Sequence, residues 1–140
     1  MHEPQQLPPP ANRAVLPVLA AVTYLACVIA AWGILSLLLD RDVIDYADAG
    51  PLLGPAMALA AGLITWIVTW RSRTVLAPVI ALFSSYLAMI VVGAVGYTLT
   101  TGLIARMPEI AAHFAISPFV ATAALLSPLV VLAARALAPR

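Results

Sequence analysis

The sequence has no lysine, a single cysteine and only six acidic residues, and no charge interrupts any of its four long apolar stretches. Each absence excludes a class of protein. A lone cysteine, Cys27, closes no disulfide within the chain and builds no metal site. Set in an apolar run, it reads as a small buried hydrophobe. Seven arginines against six acids leave a net charge of +1 with no basic stripe, so no nucleic-acid partner is expected. Charged residues make up 9% of the chain, where soluble domains carry about 25%. What is there instead is oil: 64% hydrophobic residues and a mean hydropathy of +1.05 over 140 residues. A chain of this size leaves too much of its surface exposed to hide that much apolar area from water. In lipid the difficulty disappears.

The first 13 residues, MHEPQQLPPPANR, are polar and proline-rich, and a disordered leader is expected over 1–13. Uncharged stretches then place spans at about 14–39, 51–70, 75–98 and 116–134, each meeting the length of about 17–25 residues that a spanning helix needs. They are continuously apolar and do not alternate, which excludes barrel strands. The fold class expected is all-α: a polytopic membrane protein forming a four-transmembrane-helix bundle, with residues 14–140 as one domain. Pro17 and Pro78 are expected in opening turns, where a missing N–H costs nothing. Counting about 20 residues from Pro78 puts Tyr97 at the far interface, with Thr98, Thr100 and Thr101 at or beyond it. Pro108 with Glu109 starts a short interfacial helix at 108–115. Ser117 with Pro118 starts the fourth span; one continuous helix from 108 is the alternative. Pro128 should kink that span and leave a carbonyl near Ala124 in need of a donor.

Arginines near span ends set orientation. Arg13, Arg71, Arg73, Arg135 and Arg140 fall on one side of a four-span plan, and Arg41 and Arg106 on the other with Asp40, Asp42, Asp45, Asp48 and Glu109. Both termini are therefore expected in the cytoplasm. Trp66 and Trp70 sit at the cytoplasmic end of the second span, and Trp32 and Tyr97 toward outer ends. The alanine-rich, lysine-free composition suggests a GC-rich bacterial genome, hence a bacterial plasma membrane. The first apolar run is much longer than the 7–15 residues of a signal peptide. Leu25–Ala26–Cys27 departs from a lipoprotein cleavage site, because Tyr24 and Leu25 suit its leading positions poorly.

The spans hold no Asp, Glu, Lys or Arg. Ion-coupled carriers place an ionisable group at membrane depth, and small four-helix multidrug exporters rely on a carboxylate in the first span, so both readings are disfavoured. His113 reads as a solvated edge residue. No catalytic, cofactor-binding or metal-binding residue is expected. The outer loop DRDVIDYADAG carries Asp40, Asp42, Asp45 and Asp48 and offers a cation or a basic partner a surface. A calcium loop needs acids at positions 1, 3 and 5 and glycine at 6; Asp40 and Asp42 fit, Ile44 and Asp45 do not, and a solvated connector is the plainer reading. Helix faces give a firmer signal. Gly54, Ala58 and Gly62 recur every four residues, and Ala81, Ser85 and Gly93 share a face with Gly96 nearby. Small residues so spaced let two helices approach closely, within this bundle or against another protein. Ser84, Ser85, Tyr86, Thr65, Thr69 and Thr122 are candidates for interhelical hydrogen bonds, each contributing about 0.6 kcal/mol in membranes.

The stretch 45–55, DYADAGPLLGP, together with the four-span plan, resembles an uncharacterised family of small actinobacterial integral membrane proteins. The resemblance covers most of the chain and implies no activity. The function expected is a non-catalytic membrane protein, an accessory or assembly subunit or a self-associating bundle, whose partners are the lipid bilayer and another membrane protein or itself. The alternative is a small oligomeric transporter or channel for an uncharged solute. A membrane enzyme is disfavoured for want of paired acids or histidines at a membrane edge.

Overall fold

The structure, a computed structural model, describes residues 12–43, 50–72 and 74–137. The leader up to residue 11 and the loop acids Asp45 and Asp48 lie outside the described residues. Five α-helices occur among those described: α1 (Asn12–Leu39), α2 (Gly50–Arg71), α3 (Ala77–Thr101), α4 (Met107–Ala115) and α5 (Pro118–Leu137), with a 3₁₀ turn at Ile104–Arg106. There is no strand among them. Four of the helices are long and apolar enough to cross a membrane: Val15–Leu39, Pro51–Arg71, Ala77–Thr101 and Pro118–Leu137.

Helix ends move where local chemistry overrides the hydropathy boundary. α1 begins at Asn12, inside the expected leader, so Pro17 lies in its second turn and not its first. Its ring there removes one bond near an end whose first N–H groups lack helical partners anyway. Pro78 does occupy the opening turn of α3. That helix continues past Tyr97 to Thr101, and its threonines satisfy their hydroxyls on carbonyls of their own turns. Thr98 Oγ1 donates to Val95 O at 2.9 Å, Thr100 to Tyr97 O at 2.9 Å and Thr101 to Tyr97 O at 2.8 Å. Gly102 stops it in the left-handed conformation, φ 72°, with its N–H on Thr98 O. A helix does run from Met107, and Ile116 and Ser117 interrupt the chain before α5.

α1 packs on α2 and α5; α3 packs on α2, α5 and α4; α2 also touches α5. The bundle is a rhombus whose short diagonal joins α2 to α5, with α1 and α3 at the far corners. Tyr24 and Val28 of α1, Met57 of α2, Met89 of α3 and Val120 of α5 are fully buried in the core. Polar side chains join them, while leucines, valines and isoleucines along α1, α3 and α5 face outward. That distribution inverts the one water imposes and suits a surrounding hydrocarbon.

Candidate functional site

Three hydroxyls meet where α2, α3 and α5 converge. Thr65, Ser85 and Ser127 are each 0% exposed. Ser85 Oγ donates to Ser127 Oγ at 3.0 Å, and Ser127 Oγ lies 2.9 Å from Thr65 Oγ1. Thr65 Oγ1 in turn donates to Ala61 O at 2.9 Å. A hydroxyl has one proton to give. The order is therefore fixed: Ser85 to Ser127, Ser127 to Thr65, Thr65 to a backbone carbonyl. Every donor is used, and the chain ends on a group that takes no proton. This arrangement ties three helices together. Two of its members, Thr65 and Ser85, are legible in the sequence as candidates; Ser127 is not, because its partners lie 42 and 62 positions away in the chain.

Two aromatic side chains fasten α1 to α5. Tyr24 Oη donates to Ala123 O at 3.1 Å, and Trp32 Nε1 to Phe119 O at 2.9 Å. Tyr24 thus donates to the carbonyl of Ala123, one residue before the carbonyl that Pro128 was expected to leave in need of a donor. Tyr86 Oη reaches Ala115 O at 2.5 Å and ties α3 to α4. Thr69 and Thr122 do not bridge helices. They donate to Thr65 O at 2.7 Å and Pro118 O at 2.7 Å, four residues back in their own helices, the local bond such residues form readily. At one end of the bundle Arg135 Nη2 donates to Ser72 O at 2.8 Å and Thr74 O at 2.5 Å, holding the connection between α2 and α3.

The glycine and alanine faces turn inward. A Cβ at Gly62 would stand 3.2 Å from Leu25 Cδ2 of α1. One at Gly93 would stand 2.9 Å from the Phe114 ring and 3.2 Å from Met57 Sδ. One at Gly96 would stand 2.5 Å from Leu53 Cδ1 of α2. Gly54, Ala58, Ala81 and Ser85 are buried. In contrast, nothing lies within 4 Å of the Cβ position at Gly33, which faces outward from α1 beside exposed Ala26 and Ala30.

Asp40 and Asp42 are exposed. Asp40 has φ 48° and ends α1; Arg41 N reaches back to Ser36 O at 3.3 Å, and Ser36 Oγ donates to Arg41 O at 2.6 Å. That geometry is a Schellman stop, which gives Asp40 a structural task. No group of three or more His, Cys, Asp or Glu suited to a metal ion occurs among the described residues. A groove of about 250 Å³ opens at the turn between α3 and α4, lined by Tyr97, Leu103, Arg106, Glu109, Ile110 and His113.

Fold and site define a small helical protein with four helices fit for a multi-pass membrane arrangement, in which Thr65, Ser85 and Ser127 tie three helices together. The chain belongs to a family described as "Family of unknown function (DUF6121)", which it matches over residues 11–139. Comparison with curated proteins and with solved structures finds no match in either.

Proposed function

We propose that the chain is a non-catalytic subunit of the bacterial plasma membrane, both termini cytoplasmic, that associates through the outer face of α1 with another membrane protein or with a second copy of itself. One observation carries the reading. Gly33, with exposed Ala26 and Ala30, presents small residues outward where no helix of this chain packs. Glycine within a helix is about 1 kcal/mol less favourable than alanine, and lipid contact gives no return for it, whereas a close-packed helix does. The inward glycines are already occupied by Leu25, Phe114 and Leu53. The pore alternative draws no support from Thr65, Ser85 and Ser127, which are bonded to one another.

Crosslinking tests the proposal. In a Cys27→Ala background, Gly33→Cys in native membranes should give an adduct of twice the chain mass or of a defined heteromer. A Leu129→Cys control, on an outward position of α5, should not. Absence of any Gly33→Cys adduct would overturn it. Orientation is tested separately: a reporter active only in the cytoplasm should work when fused after Arg140.

A further inference from the structure

The groove between α3 and α4 has a composition that the bundle's packing does not require. Two of its walls are the C-terminal part of α3, carrying Tyr97, and the inner side of α4, carrying Ile110. Its mouth carries opposite charges: Arg106 Nε meets Glu109 Oε2 at 3.0 Å, with the two side chains 66% and 70% exposed. A pair so exposed adds little to stability and is free to take other partners. The two Nη groups of Arg106 and Oε1 of Glu109 have no hydrogen-bond partner among the described residues. A planar guanidinium fork suits two oxygens of a phosphate. A carboxylate oxygen beside it suits an ammonium group.

Size and setting narrow the ligand. About 250 Å³ is smaller than the roughly 300 Å³ at which small-molecule pockets begin, so the groove takes a headgroup-sized moiety. Apolar residues next in sequence to the groove's elements face outward: Ile104, after Leu103, is 74% exposed, and Ile116, after α4, is 81% exposed. Leu103 lines the groove itself. Charges beside outward-facing isoleucines match the boundary between headgroups and acyl chains, where tyrosine is also favoured. A soluble ligand would draw nothing from that apolar rim. We propose that the groove binds the phosphoethanolamine headgroup of a membrane lipid, Arg106 holding the phosphate and Glu109 the ammonium. The proposal rests on the membrane reading and is independent of the association through α1.

The test is lipid retention by the full-length chain in detergent, followed by native mass spectrometry during titration with phosphatidylethanolamine or phosphatidylglycerol. The ethanolamine lipid should bind more tightly. Arg106→Gln should weaken it about tenfold, the effect of losing one charge-assisted contact. Glu109→Gln should abolish the preference between the two lipids while phosphate binding persists. Arg71→Gln, at the opposite end of the bundle, should change neither. All three replace exposed side chains, and matching helical content by circular dichroism verifies the fold. Equal binding of both lipids by the unaltered chain, or unchanged binding by Arg106→Gln, would overturn the proposal. Displacement of the lipid by an equal concentration of soluble phosphoethanolamine would overturn the lipid assignment. The crosslinking outcome at Gly33 bears on none of these results.

Discussion

Ser127 receives a proton from Ser85 and gives one to Thr65, so removing its oxygen breaks two contacts at once. Interhelical hydrogen bonds in membranes average about 0.6 kcal/mol, so Ser127→Ala should cost about 1 kcal/mol. The readout is the midpoint of unfolding in a denaturing-detergent titration. A double-mutant cycle pairing it with Ser85→Ala should return a coupling near 0.6 kcal/mol; a coupling of zero would mean that the two hydroxyls do not meet. The glycines separate by what surrounds them. Gly93→Ala forces a methyl against the Phe114 ring and Met57 Sδ, and overpacking of this kind costs about 1–3 kcal/mol. Gly96→Ala meets only Cδ1 of Leu53, the tip of a flexible side chain, and should cost less. Gly33→Ala meets nothing and should stabilise the isolated bundle by up to about 1 kcal/mol. If the same titration ranked Gly33→Ala as the most damaging of the three, the outward placement of that residue would be wrong.

At the scale of the element, ends and connections carry the specific chemistry. Asp40 stops α1 in a left-handed conformation, φ 48°, which disfavours most residues by about 1–2 kcal/mol and glycine not at all. Asp40→Gly should therefore raise stability by up to about 1 kcal/mol. A loss on this substitution would show that the carboxylate has another task. At the opposite end of the bundle, Arg135 caps the carbonyls of Ser72 and Thr74. Its contacts are half open to the surroundings, so Arg135→Gln should cost about 1 kcal/mol, below the range for a fully buried charged donor. The expected signature is faster amide hydrogen exchange confined to the connection before α3. Uniformly faster exchange throughout α5 would contradict so local a role. The same local chemistry moved the helix boundaries. α3 runs to Thr101 and is stopped by Gly102 in the left-handed conformation, where hydropathy alone suggested an end near Tyr97.

For the whole molecule, the outward surface is the property that most constrains where it resides. Ile29, near the middle of α1, is well exposed. A carboxylate there would cost about 2.5–3.5 kcal/mol on membrane insertion. Ile29→Asp should accordingly lower the membrane-inserted fraction in an insertion assay, whereas the same change in a water-soluble protein would be mild. Much of the architecture is legible in the residue order. The four long helices follow from stretches without formal charge, because span length and hydropathy are sums over neighbouring residues and need no knowledge of packing. A helix start near Pro108 follows from proline and acid placed together. Periodicity also identifies which small residues share a face on α2 and α3. It does not say what each face meets. Whether Gly93 lies under Phe114, Gly96 under Leu53 and Gly33 under nothing depends on helix rotation and on which helices adjoin, and those are set by contacts distant in the chain. The meeting of Ser127 with Thr65 and Ser85 spans 62 and 42 positions. The sequence by itself determined how many long apolar helices form; only the tertiary structure decided that a separate short helix precedes the last of them, which hydroxyls pair, which glycines remain outward and where a charged groove opens, because a helix face has no partner until the bundle closes.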